Sequence, residues 1–212
     1  MERLKKGAWS AARLAITIAL PFFLLVNGSV VSHRFLGTPA WASILIGSVL
    51  ATAWISIWGT RLWRRMTGRA RVREVSRNFA LPIVLAFSVY SLGWISSFAA
   101  KSDEIRSLYQ NLHPTLRLAI GTATLIDPDV VITGIARERS DYARMGLRPV
   151  ENSLHFEQRD GWIHAVDLRT RGRGPIRNLS SQLYFRLMGF RALRHGGSGD
   201  HLHIALPRPH RS

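Results

Sequence analysis

The hydrophobic positions of this chain fall into two regimes. As far as Ala100 they form three long uncharged runs, at residues 14–32, 38–60 and 79–100. About 20 apolar residues in helical conformation cross roughly 30 Å of hydrocarbon, so each run predicts a transmembrane helix. Pro21 and Pro82 fall inside the first and third runs, where neighbouring helices can resatisfy an interrupted backbone.

From Lys101 onward the pattern shortens. Ile105, Leu108, Leu112, Leu116 and Ala119 keep helical spacing through residues 103–124, with Pro114 marking a break. Asp127-Pro128-Asp129 reads as a turn before a strand over 130–135, and the polar segment 137–152 as a loop with a short helix around Tyr142. Leu154, Phe156, Ile163, Ala165 and Val166 suggest strands on both sides of Arg159-Asp160-Gly161, which makes a hairpin. Asn178 can cap a helix reaching about Met188, Phe190–Leu193 opens a strand, and another begins near His201 after Gly196-Gly197-Ser198-Gly199. The expected fold class is α+β: N-terminal transmembrane helices over residues 1–100, then a small domain over 101–212 with an antiparallel sheet and flanking helices.

Charge orients the membrane part. Eleven basic residues precede the first run or follow the second, and Arg34 alone lies in the short loop between them. That asymmetry places the N-terminus and second loop in the cytoplasm, and three crossings deliver residues 101–212 to the outer side, the periplasm or cell exterior. Trp41, Trp58, Trp63 and Trp94 near the span ends fit anchoring in the headgroup region. The net charge of +16 therefore reads as a topology signal and contact with membrane lipid, and no nucleic acid is expected as a partner. The absence of cysteine excludes thiol nucleophiles and thiolate-bound metal.

Candidate chemistry concentrates in two phrases, SLHFEQRDGWIHAVD from Ser153 and GDHLHI from Gly199, which hold four of the eight histidines. A two-residue turn at Asp160-Gly161 would send His155 and Asp167 to opposite sheet faces; a three-residue loop with a left-handed Gly161 puts His155 opposite Ala165 and diagonal to Asp167. The second register is preferred, and His164 then faces the other way. In a strand from His201, His201 and His203 share a face, with Asp200 at its entrance. Two imidazoles and a carboxylate are a common zinc set that leaves a position for water, and Asp200 is the candidate to accept that water's proton.

Ser153-Leu154-His155, Ala165-Val166-Asp167 and Asp200-His201-Leu202-His203 resemble the LAS-type zinc peptidases of bacterial cell walls, the D-Ala-D-Ala carboxypeptidases, L-alanyl-D-glutamate endolysins and murein endopeptidase. The family pattern is SxHxxGxAxD followed by an acidic residue three positions before a histidine. The resemblance implies a DD-peptidase-like fold, Zn2+ held by His155, Asp167 and His203, and Asp200 as base. Residues 130–137 look like the family strand whose arginine, here Arg137, binds substrate or the developing oxyanion; His201 could share that task. Eleven residues separate His155 from Asp167 where the family has six, and Ile163 stands at the family glycine. A longer hairpin, His164 replacing His155 as ligand, or a site that no longer binds metal would each accommodate this. The expected function is a membrane-anchored zinc peptidase acting on peptidoglycan stem peptides or crosslinks. The alternative is a non-catalytic peptidoglycan-binding or membrane adaptor protein with a degenerate site.

Overall fold

The computed structural model describes residues 2–144, 146, 151–197 and 199–210. Ser198 of the expected glycine-rich run and part of the 137–152 loop lie outside the described residues.

Three helices are long and apolar enough to cross a membrane. The first is α1 (Glu2–Leu36) and the second α2 (Ala40–Thr67). The third passes from α3 (Val72–Val75) through a π-helical turn (Ser76–Ala80) into α4 (Leu81–Gly93). Pro21 sits inside α1 without ending it, whereas the third span stops at Gly93, short of Ala100. Helices α1 and α2 approach closely because small residues face each other: a Cβ on Gly47 would lie 2.1 Å from the Leu25 carbonyl oxygen. Packing of this kind replaces the hydrophobic drive that is missing between helices in lipid.

The carbonyls left open where α4 ends are met by the following segment. Tyr109 Oη donates to Ser91 O (2.8 Å), Arg117 Nη1 to Leu92 O (2.6 Å) and Gln110 Nε2 to Gly93 O (2.9 Å). That segment comprises α5 (Asp103–Ser107), a 3-10 turn and α6 (Pro114–Ile126). The break expected at Pro114 is the start of α6. Residues Pro114–Ala123 are all buried, since α6 packs on α1, α2, α4 and the C-terminal half at once.

The remaining elements are β1 (Ile132–Gly134), α7 (Arg139–Arg144), β2 (Ala165–Arg169), α8 (Pro175–Leu187), β3 (Arg191–His195) and β4 (His201–Ala205). The strands form one antiparallel sheet in the order β1-β2-β4-β3. Side chains alternate between its faces. Val166, Leu168, Leu202, Ile204 and Ala192 enter a core with Phe185 of α8 and Leu116 and Ile120 of α6, continuous with Leu25, Val26 and Val30 of α1. The opposite face carries Asp167, His201 and His203. The chain is thus mixed α and β, with apolar helices first and a small antiparallel sheet after.

Two local expectations are corrected. Asn178 lies one turn inside α8 and donates to Thr170 O (3.0 Å); the helix starts at Pro175, whose fixed φ suits a first turn. The hairpin around Asp160 is a turn with a single bridge, Glu157 to Ile163, although Gly161 is left-handed (φ 80°). His164 N donates to Leu154 O, so His155 is not paired with Ala165. Strand β2 takes β4 as its partner instead.

Candidate metal centre

Asp167 is the middle residue of β2, with Gly134 on one side and His203 on the other. A Cβ on Gly134 would meet Asp167 Oδ2 at 3.3 Å, so a residue without a side chain leaves the carboxylate its space. His203 lies directly across the strand pair, and its Nδ1 is 2.9 Å from Asp167 Oδ1. His155 arrives from the loop. Ser153 Oγ accepts from His155 N (3.2 Å) and from Tyr142 Oη (2.7 Å), and Arg137 N donates to His155 O (3.2 Å), which together fix that turn.

Three ligand-type atoms therefore converge: His155 Nε2, Asp167 Oδ1 and His203 Nδ1. Their separations are 3.2, 3.3 and 2.9 Å. Ligands about 2.0–2.1 Å from a tetrahedral zinc stand roughly 3.3 Å from one another, so this triangle has the dimensions of one tetrahedral face. Tautomers strengthen the fit. His155 Nδ1 lies 2.6 Å from Ile135 O, an acceptor only, and its proton is committed there. The lone pair on Nε2 is then aimed at a carboxylate oxygen. Such a contact is favourable only with positive charge between the atoms, either a second proton or a metal ion, and a backbone carbonyl on the far nitrogen is the usual way a ligating histidine is oriented.

Arg137 closes the other side by pairing its Nη2 with Asp167 Oδ2. Burial alone would raise the Asp167 carboxyl, but hydrogen bonds from His155 and His203 and the charges of His155 and Arg137 outweigh it and hold it far below the ordinary carboxylate range. His155 and Asp167 are buried, while His203, His201 and Arg137 remain about one quarter exposed, so the centre opens on their side. His201 Nδ1 is 2.5 Å from Gly199 O, which turns its free Nε2 toward Asp167 Oδ1 at 3.6 Å.

Of the residues named from sequence, the structure brings together His155, Asp167, His203, His201 and Arg137. Asp200 does not join them. Its carboxylate is clamped by Arg194 at 2.6 and 2.9 Å, and that guanidinium is the main cause lowering its pKa to about 2, a poor value for a base. Arg137, expected to hold substrate, is occupied by Asp167. His195 is an exposed residue that also borders the group. It stacks on His201 (centroids 5.0 Å) and faces His203 (5.9 Å), and the signal was available: the glycine-rich turn makes β3 and β4 a hairpin with His195 opposite His201.

A second group of ligand-type atoms, from His113, Asp160 and His164, lies where the loop meets α1. His164 Nε2 pairs with Asp160 (2.9 Å), and the His113 ring is 4.9 Å from both the His33 and His164 rings. His113 Nδ1 accepts from Thr115 N as the cap of α6, so its proton sits on Nε2. Ligation through Nε2 would sacrifice that cap. The arrangement is that of a neutral, packed imidazole stack, and burial first, then the neighbouring histidines, lowers the His113 pKa to about 2. His164 is held neutral despite Asp160, because burial again dominates its lowered pKa.

Comparison with protein families, curated proteins and solved structures finds no match to this chain.

Proposed function

We propose that the chain is a membrane-anchored, zinc-dependent peptidase acting on peptidoglycan stem peptides or crosslinks from the outer face of a bacterial inner membrane. The observation that carries this reading is the triangle of His155 Nε2, Asp167 Oδ1 and His203 Nδ1, with the His155 proton committed to Ile135 O. A four-stranded antiparallel sheet with helices on one face supports a DD-peptidase-like fold. The three apolar helices support an inner-membrane location.

His155, Asp167 and His203 would hold the ion, which when bound supplies a Lewis acid for a carbonyl and an activated water. Arg137 fixes the carboxylate and keeps it charged. His201, with its Nδ1 proton held by Gly199 O, has a free Nε2 on the open side and is placed to accept a proton and return it to a leaving amine. We assign that role to His201 in preference to Asp200.

The Arg194 clamp on Asp200 favours one other reading, a peptidoglycan-binding protein that holds metal without turnover. Purified full-length protein in detergent separates the two. Stoichiometric zinc by mass spectrometry, with chelator-sensitive cleavage of crosslinked muropeptides, supports the peptidase. Zinc without cleavage supports the binder, and no zinc at neutral pH rejects both.

A further inference from the structure

Arg34 is the one basic residue that the charge asymmetry of the spans leaves on the outer side. It lies in the last turn of α1, and a groove of about 560 Å³ begins there. Arg191, Arg208 and His210 line the same groove, with Asn152 and Leu206 among its other walls. His210 is fixed against α1: its N donates to Arg34 O (2.8 Å) and its ring stacks on Phe35 (5.1 Å). Arg208 donates to Asn152 O (3.3 Å). Among the described residues, none of the three guanidinium groups has a carboxylate partner, and no acidic side chain lines the groove. Arg34 lies over the Phe35 ring (5.0 Å), but with no carboxylate among them three arginines lining one concavity repel one another unless an anion sits between them.

The groove borders the sheet face that carries the metal centre. Arg191 opens β3 opposite Ala205, and two residues on, Leu193 stands opposite His203. Arg191 and His203 therefore project from the same sheet face, one pleat apart along the strand. At its other end the groove meets the outer terminus of a membrane helix. An occupant reaching from one end to the other carries negative charge at the bilayer surface and a reactive group further out.

We propose that this groove binds the phosphate or diphosphate headgroup of a lipid, so that the peptide presented to the metal centre is one still carried on its membrane anchor. Guanidinium forks match phosphate oxygens in pairs, and three of them suit a diphosphate better than a single carboxylate. The inference rests on the peptidase reading for the peptide half of the substrate, and on the groove alone for the phosphate half.

The test uses full-length protein in phosphatidylcholine nanodiscs, with farnesyl diphosphate as probe and inorganic pyrophosphate as its chain-free counterpart. His203→Ala protein serves alongside wild type, so that phosphate bound by a metal is not counted. Saturable, salt-sensitive binding of farnesyl diphosphate is expected in both proteins. Arg191→Ala/Arg208→Ala should weaken it by about tenfold or more, with zinc content unchanged, and Arg191→Lys/Arg208→Lys should recover part of the loss. Absence of saturable binding, equal binding by the double alanine variant, or pyrophosphate binding as tight as the prenyl form would each overturn the proposal. Zinc content and muropeptide cleavage are scored separately, so a failed phosphate site and a failed peptidase are told apart.

Discussion

Asp167 and His203 stand directly opposite each other on adjacent antiparallel strands, with 2.9 Å between Asp167 Oδ1 and His203 Nδ1. The pair is rigid because both backbones are tied into the sheet. His155 then needs only one well-fixed turn to complete the triangle, and Ser153 and Tyr142 supply it.

Removing the carboxylate leaves Arg137 and two imidazoles facing a buried gap. Asp167→Ala should abolish zinc binding and lower unfolding stability by about 3–5 kcal/mol, the usual cost of breaking a buried ion pair. Asp167→Asn should lose the metal at a smaller cost in stability. Metal content and denaturant titration in detergent check both; a metal-replete Asp167→Ala protein would contradict the centre.

The proton-transfer assignment separates two neighbours. His201→Ala should lose most hydrolysis, on the order of 100-fold or more, while keeping zinc, whereas Asp200→Asn should change the rate little. Steady-state rates against pH with metal analysis decide it. If Asp200→Asn is the inactive variant, Arg194 must release Asp200 during turnover and the assignment reverses.

Acid sensitivity should come from the imidazole stack. His113 and His164 have pKa values below the unfolded value of 6.5, so below that pH the unfolded chain binds protons that the native chain does not. Stability is fully present above pH 6.5 and declines as pH falls, by up to about 1.4 kcal/mol per unit for each group. His113→Asn, which keeps a side-chain acceptor for Thr115 N, should flatten the decline. Denaturant midpoints measured between pH 7 and 5 test this.

Close approach of α1 and α2 predicts intolerance at one glycine. Gly47→Ala would drive a methyl group to 2.1 Å from Leu25 O and 2.4 Å from Ser29 Oγ. The helices must separate, at a cost of about 1–3 kcal/mol. Gly93→Ala, which meets nothing within 4 Å, should be neutral in the same thermal melt.

The local elements were legible because each depends on neighbours in sequence. Three uncharged runs of membrane length give helices long and apolar enough to cross a membrane whatever they pack against, and Pro114 starts a helix because its ring cannot extend the one before. The alternation of His201 and His203 sets them on one face by the pleat alone. The segment before β2 is a loop and not the hairpin arm its alternation suggests, since β2 pairs with a strand 36 residues further on, and no local pattern carries that pairing.

By itself, then, the sequence determined which segments are apolar helices, where β1, β2, β3 and β4 lie, and which residue types are available to bind a metal. Only the tertiary structure decided which of them meet. It set Asp167 against His203, brought His155 in from a turn, and engaged Asp200 with Arg194. It also joined Arg34 to Arg191 and Arg208 in one groove. Periodicity is a property of a few consecutive residues, while an ion site or an anion groove depends on strand order and on where a distant helix ends, and those are fixed when the shared core closes.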